Sequence, residues 1–240
     1  MLIIGNEILS GRTQDTNLSD LANQLNDWGV RVMEARVIPD VEHVIVDSVN
    51  EARVMFDYVF TTGGIGPTHD DITADCIAQA FGVPIIVSNE IAHLLRQRPA
   101  PADVMETRLR MARIPEGASL IANPTGGPQG FRMENVFVMA GIPSVMRAML
   151  STLAQEITGA SVMRSRSVTV YLGESQIGSA IGQIQERYPE VELGSYPFSR
   201  SGRYGTTLVM RGVDDSALQK MMKEVKEIII ANGEEPIDAD

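Results

Sequence analysis

The stretch TTGGIGPTHDDIT, residues 61–73, is the most informative string in the sequence because it joins a predicted strand to a predicted helix. Tyr58, Val59 and Phe60 form the apolar strand before it, and the segment from about Asp71 to Phe81 is helical. In an open parallel sheet, ligands bind beyond the carboxyl ends of the strands. Glycines let the backbone approach a ligand closely, and a helix N-terminus favours an anion. The stretch therefore predicts an anion-binding loop at a sheet edge.

Working outward, a strand, a polar or glycine-containing loop and an amphipathic helix alternate from residue 1 to about residue 160. This alternation predicts an α/β fold in which helices cover both faces of a mainly parallel sheet. The first predicted elements are a strand at residues 2–4 and a helix that is capped by Asp15 or Thr16 and ends at Gly29. A strand at 30–38 and a helix with an apolar stripe from Val41 to Ala52 follow. Residues 131–139 are predicted to form a hairpin with its turn at Glu134-Asn135.

A second, smaller unit is predicted from about residue 164 to residue 232. Its pattern is β-α-β-β-α, and its last helix carries a continuous apolar face. The acidic tail at residues 233–240 is expected to be frayed. The chain is thus expected to contain a larger α/β domain over residues 1–160 and a small α+β module.

The composition limits the classes of partner. The 240 residues include 31 acidic and 20 basic side chains, a formal net charge of −11. Nucleic acids and anionic membranes are held by many cationic contacts, so neither is an expected partner. Cys76 is the single cysteine, which excludes an internal disulfide and agrees with a reducing, cytoplasmic location. No apolar run is long enough for a membrane span.

The glycine stretch fits neither of the common phosphate-binding motifs, G-x-x-x-x-G-K-[ST] and G-x-G-x-x-G, and it contains no lysine. Phosphate charge would have to be neutralised by amides, a metal ion or a distant arginine. Asp70 and Asp71 provide carboxylates that suit a hard divalent cation, although one of them could equally cap the following helix. Asp40 ends the second strand, where its carboxylate could belong to the same ligand site or could equally cap the helix that follows from Val41. His69 is interpreted as a solvated loop residue.

Two further loops are predicted to reach the same edge. Residues 5–11, GNEILSG, follow the first strand, and residues 15–17, DTN, offer hydrogen-bond donors and acceptors for a ribose, a base or a metal-bound water. Residues 140–144, AGIPS, form another Gly/Pro turn. Together these loops indicate a polar crevice at several strand ends.

These strings resemble the molybdopterin-binding (MoCF biosynthesis) fold family, and most closely the N-terminal region of its competence/damage-inducible protein A branch. GNEILSG, the GGIGPTHDD part of the glycine stretch and GIPS at 141–144 carry the resemblance over residues 1–160. Residues 164–232 resemble the small KH-like module that follows in that branch, although the chain has no G-x-x-G string there. The resemblance implies a three-layer α/β/α sandwich, a nucleotide or pterin ligand, a dimer or trimer, and catalytic roles for Asp40 and Asp71.

The predicted functional residues follow from the loops and the resemblance together. Asp70 and Asp71 are the expected metal ligands, with Mg²⁺, Mn²⁺ or Co²⁺ as the cofactor. The expected ligand-binding residues are Gly5, Glu7, Asn17, Thr62, Gly63, Gly64, Gly66, Pro67, Thr68, Gly141 and Pro143.

Relatives in that branch are associated with metal-dependent cleavage of ADP-ribose-like dinucleotides, and related FAD-synthase domains with FAD hydrolysis. The first hypothesis is therefore a metal-dependent nucleotide pyrophosphatase. The alternatives are adenylyl transfer to molybdopterin and nucleotide binding without turnover. Because the chain ends near residue 240, the amidohydrolase activity of longer relatives is not expected.

Overall fold

The computed structural model describes residues 1–157, 159, 162–200 and 202–239. The chain divides into two compact units, Met1–Gly159 and Ala160–Asp240. Among the described residues, no helix is both long enough and apolar enough to cross a membrane.

The first unit is built on a six-stranded sheet with the order β2-β1-β3-β8-β7-β6. Strands β2, β1, β3 and β8 are parallel, whereas β7 and β6 are antiparallel to their neighbours. These strands are β1 (Leu2–Ile4), β2 (Arg36–Ile38), β3 (Val59–Thr62), β6 (Ser119–Ile121), β7 (Gly130–Met133) and β8 (Val136–Met139). A separate antiparallel pair consists of β4 (Ile85–Val87) and β5 (Arg113–Pro115).

Helices cover both faces of this sheet. They are α1 (Asn6–Leu9), α2 (Asn17–Asp27), α3 (Glu42–Met55), α4 (Thr73–Phe81), α5 (Asn89–Arg96), α6 (Ala102–Leu109) and α7 (Pro143–Ser151). Alternate β8 residues enter two separate cores. Val136 and Val138 pack in the core that includes α3 and α4, whereas Phe137 and Met139 pack in the core that includes α2 and α7. The predicted three-layer α/β sandwich is confirmed.

Several element boundaries differ from the sequence prediction. The second strand was expected over residues 30–38 but spans only Arg36–Ile38, because β1, its partner in the described part of the sheet, offers three residues for pairing. Helix α4 begins at Thr73 rather than near Asp71, because the Asp71 carboxylate is hydrogen-bonded to the preceding loop. The hairpin with its turn at Glu134-Asn135 is confirmed, with Met133 paired to Val136.

The second unit is a four-stranded antiparallel sheet covered by two helices, in the order β10-β11-β9-β12. Its elements are β9 (Arg164–Val170), α8 (Glu174–Arg187), β10 (Glu192–Arg200), β11 (Arg203–Gly212), α9 (Asp215–Ala231) and β12 (Ile237–Ala239). The predicted β-α-β-β-α order is present. The expectation of a frayed tail is wrong for Ile237–Ala239, because this segment pairs with β9 and Asp238 forms an ion pair with Lys226.

Candidate functional site

The loops that follow β1, β3 and β8 meet at one edge of the sheet. β3 lies between the other two strands, and all three run parallel, so their carboxyl ends adjoin. The Gly63 amide donates to the Met139 carbonyl at the end of β8. A Cβ atom on Gly63 would lie 2.1 Å from the Ile4 carbonyl oxygen, and its φ is 102°. Glycine is required here because the three strand ends converge around it.

A first cavity opens beside Gly63, and we call it the Asn17 cavity. Its walls come from β1, the loop after it, the start of α2, the end of β3 and the loop after β8. Six predicted ligand-binding residues line it, namely Glu7, Asn17, Thr62, Gly63, Gly141 and Pro143. The structure therefore brings residues far apart in sequence into one cavity, as the parallel-sheet argument predicted.

Two residues that line the Asn17 cavity each have a buried polar atom with no partner among the described residues. Asn17 is only 5% exposed; its Nδ2 atom donates to the Gly141 carbonyl at 2.7 Å, while its Oδ1 atom has no partner among the described residues. Thr62 is 1% exposed, and its Oγ1 atom is likewise unpartnered among them. Buried polar groups are nearly always hydrogen-bonded to protein, water or ligand. The pair therefore marks a place where a ligand or a bound water supplies hydrogen-bonding groups.

The Asp71 carboxylate holds the glycine loop in shape. Its Oδ1 atom accepts from the Gly66 amide at 2.7 Å, and its Oδ2 atom accepts from the Thr68 amide at 2.8 Å and from the Thr68 hydroxyl. The loop turns at Pro67 between these contacts. The interpretation of Asp70 or Asp71 as a helix cap is wrong, since Ile72 is the N-cap residue of α4 and no side chain caps this helix. Asp71 braces the loop, with both oxygens engaged.

The internal contacts leave specific loop amides available to a ligand. The Gly63 and Gly66 amides donate to Met139 and Asp71, respectively. Within the part of the chain that the structure describes, the amides of Gly64 and Ile65 have no acceptor. A phosphate cradle on this loop would therefore use Gly64 and Ile65, where the sequence suggested Gly63, Gly64 and Gly66.

Asp40 performs a similar bracing role on the first loop. Its Oδ2 atom accepts from the Asn6 amide at 2.8 Å, at the start of α1. The helix-cap interpretation of Asp40 is wrong as well, because α3 begins after Val41 without a side-chain cap. Nearby, a Cβ atom on Gly5 would lie 2.5 Å from a Glu7 carboxylate oxygen, so the Glu7 side chain lies against Gly5.

A second cavity adjoins the same glycine loop, and we call it the Arg110 cavity. It is lined by Gly64, Ile65, Gly66, Asp71, Ala74, Asp75, Arg110, Met111, Arg113, Ile114, Gln129 and Phe131. Arg113 is bound to Asp75 at 2.5 Å. Gln129 donates through Nε2 to Glu90, whereas its buried Oε1 atom has no partner within the described residues.

Sequence reasoning missed Arg110, Arg113 and Gln129. They lie in the stretch between α6 and β7, outside its Gly/Pro turn at residues 123–127. The available signal was the missing lysine of the glycine loop, which called for a cation from elsewhere in the chain.

The carboxylates at this edge of the sheet suit a divalent cation that is also coordinated by a bound phosphate ligand. The Asp70 side chain is 60% exposed, and the nearby Thr68 hydroxyl, followed by the backbone amide of Asp70 itself, holds the pKa of Asp70 below its usual value. Asp70 is therefore an ionised oxygen ligand at neutral pH. Among the described residues, no three His, Cys, Asp or Glu side chains come together as a metal cluster. Mg²⁺ commonly binds one or two carboxylates while keeping waters and substrate phosphates, which this donor set allows.

Cys76 lies beneath the loop on α4 and is buried. Burial, with a smaller contribution from nearby carboxylates, raises the pKa of the Cys76 thiol to about 12. The thiol is therefore protonated at neutral pH and is a core residue rather than a nucleophile.

Comparison with known proteins agrees with this architecture. Residues 1–159 match the family model described as "probable molybdopterin binding domain", and the chain belongs to that family. Residues 162–234 match the model described as "FAD synthase, middle domain".

Some relatives align with this chain over almost their whole length and others over about half of it. A protein from Archaeoglobus fulgidus is 31% identical over 95% of this chain and 96% of its own length. A CinA-like protein from Citrifermentans bemidjiense is 36% identical and aligns with 80% of this chain, but with only 52% of its own length. The crystal structure of CinA from Thermoplasma acidophilum is 31% identical and covers 65% of this chain and 94% of that chain, with a TM-score of 0.60.

Proposed function

We propose that this chain hydrolyses the diphosphate bond of a dinucleotide such as ADP-ribose or FAD, with the help of a divalent cation. The observation that carries the proposal is the unpartnered pair Asn17 Oδ1 and Thr62 Oγ1 in a cavity beside the glycine loop. An acceptor oxygen and a hydroxyl on two residues that line one cavity match the vicinal hydroxyls of a ribose, and the Gly64 and Ile65 amides, which line the adjoining Arg110 cavity, match phosphate oxygens.

The charge of the edge supports the need for a cation. Glu7 and Asp15 line the Asn17 cavity, and Asp70 lies on the adjoining loop. Carboxylates repel a diphosphate at short range, and the amides alone do not offset this repulsion. A divalent cation, when bound, neutralises the charge of the diphosphate oxygens and so favours attack at phosphorus.

The chain's own residues would divide the remaining tasks. Asn17 and Thr62 would orient the ribose, while Asp71 keeps the Gly64 and Ile65 amides aimed at the phosphate. Glu7 would accept a proton from the attacking water. The water oxygen then bonds to one phosphorus as the bridging P–O bond breaks, and ADP-ribose yields AMP and ribose 5-phosphate.

The test follows the phosphorus resonances of ADP-ribose and of FAD by ³¹P NMR, with Mg²⁺, Mn²⁺, Co²⁺ or EDTA. We expect metal-dependent conversion of diphosphate to two phosphomonoesters. Glu7→Gln is expected to lose turnover, whereas Glu106→Gln, on the exposed side of α6, is expected to retain it. Unchanged diphosphate with every metal would refute the hydrolysis.

A second function, adenylyl transfer to molybdopterin, is favoured by the family match alone. The N–H groups of a pterin would also satisfy Asn17 Oδ1. The same assay, with molybdopterin and ATP as substrates, distinguishes the two: transfer releases pyrophosphate and gives an adenylylated pterin. Binding of a nucleotide without any product would indicate a protein that binds but does not turn over.

A further inference from the structure

We propose that the Arg110 cavity is an anion subsite and that Arg110 is the cation that binds a substrate phosphate there. This inference rests on the proposed function, because it assigns the positive charge that the glycine loop lacks. Arg110 is a positioning residue for the phosphate in this account and takes no part in proton transfer.

The backbone of Arg110 is fixed next to the glycine loop. Arg110 opens a single 3₁₀ turn, Arg110–Ala112, between α6 and β5. Ala112 is fully buried, and its carbonyl accepts from the Ser88 amide at 2.8 Å. The turn therefore presents Arg110 from an anchored position to the cavity that Gly64 and Ile65 also line.

The charged groups around the cavity differ in whether they already have a protein partner. The Arg113 guanidinium is committed to Asp75, and the Asp71 carboxylate is committed to the loop amides. The Arg110 guanidinium forms neither an ion pair nor a hydrogen bond with any residue that the structure describes, although its charge helps to lower the pKa of Asp70. Arg110 therefore brings a positive charge without a partner among the described residues to a cavity that is also lined by Gly64 and Ile65, whose amides have no acceptor there.

The hydrogen-bond donors of the cavity suit a phosphate group. Arginine binds phosphate oxygens through paired, charge-assisted hydrogen bonds, and the Gly64 and Ile65 amides offer donors to the same group. The cavity has a volume of about 20 Å³, which is room for about one water molecule, and a bound water there would supply the donor that the buried Gln129 Oε1 atom requires. The subsite therefore fits one phosphate group of a dinucleotide at its mouth, with a nucleoside in the Asn17 cavity.

The test measures binding of ADP-ribose and of adenosine by calorimetry, with Ca²⁺ in place of Mg²⁺ to slow turnover. Arg110→Ala should weaken ADP-ribose binding by roughly tenfold or more, as expected for a lost charge-assisted bond. Adenosine binding should be unchanged. Arg110→Lys should recover part of the ADP-ribose affinity, since it keeps the charge without the paired geometry. Arg96→Ala, on the exposed side of α5, is the matched control and should leave both affinities unchanged.

The outcomes separate this inference from the proposed function. If wild-type protein cleaves ADP-ribose and Arg110→Ala binds it with wild-type affinity, the Arg110 subsite is refuted while the hydrolase proposal stands. If Arg110→Ala loses ADP-ribose affinity selectively but wild-type protein yields no product, the subsite stands and the hydrolase proposal fails. Wild-type protein that binds neither ligand would overturn both. Thermal melting of each variant identifies a loss of affinity that comes from unfolding.

Discussion

The two neighbouring threonines at the end of β3 provide a controlled test of the Asn17 cavity. Thr61 and Thr62 are 0% and 1% exposed, and neither hydroxyl has a partner within the described residues. Thr62 lines the Asn17 cavity, whereas Thr61 does not. Thr→Val replaces the hydroxyl by a methyl group of similar size, so each variant removes one buried polar atom and changes the packing little.

The expected effects on stability are alike and those on binding differ. Burying an unpaired hydroxyl costs the folded state ~1–3 kcal/mol, so removing it should raise the free energy of unfolding by about 1 kcal/mol. For a chain of this size that corresponds to a rise in Tm of roughly 2–4 °C. Only Thr62→Val should also lose a hydrogen bond to the ligand, which is worth about 1 kcal/mol or roughly a fivefold loss of affinity.

The assay combines thermal melting of the free proteins with calorimetric titration of ADP-ribose. We expect both variants to melt at or above the wild-type temperature and only Thr62→Val to bind ADP-ribose more weakly. Equal affinities for the two variants would refute the assignment of Thr62 Oγ1 to the ligand. A lower Tm for Thr62→Val would show that its hydroxyl is satisfied in the free protein by an ordered water.

Three further predictions concern the loop and the core beneath it. Asp71→Asn keeps the size of the side chain but places an N–H donor opposite a loop amide. It should therefore lower the stability of the loop by roughly 1.5–3 kcal/mol and speed hydrogen exchange of the Gly66 and Thr68 amides. Loss of activity with unchanged exchange would instead indicate that Asp71 contacts the ligand. Gly63→Ala should cost at least about 2 kcal/mol, since it combines a positive φ with a backbone clash, whereas Gly11→Ala, with φ of 72° and open space, should cost less. Cys76 should resist iodoacetamide at pH 8 until the chain unfolds, because its pKa of about 12 leaves the thiol protonated; fast labelling of folded protein would contradict this.

Much of the fold is readable from local pattern. The alternation of Val136, Phe137, Val138 and Met139 between two cores is the feature that makes a three-layer sandwich, and apolar runs bounded by turns indicate such buried strands. The extent of the second strand was not readable, because it depends on how many residues β1 offers for pairing. The same holds for β12, whose pairing with β9 brings together segments far apart in sequence.

The site was predictable where it is made of strand ends and less so where it depends on side-chain contacts. Parallel pairing places Glu7, Asn17 and Thr62 at one edge, as their positions after strands suggested. Spacing alone could not show that Asp40 and Asp71 hold backbone amides, because the acceptor geometry depends on the loop conformation. The predicted dimer or trimer stays a prediction, since the structure contains one chain.

The most direct test of the central claim is a ¹H–¹⁵N NMR titration of the protein with ADP-ribose and Mg²⁺, with the Gly64 and Ile65 amides assigned. We expect the resonances of these two amides to shift strongly on binding, while that of the Gly63 amide, which donates to Met139, shifts less. Shifts confined to other parts of the chain, with Gly64 and Ile65 unchanged at saturation, would contradict it.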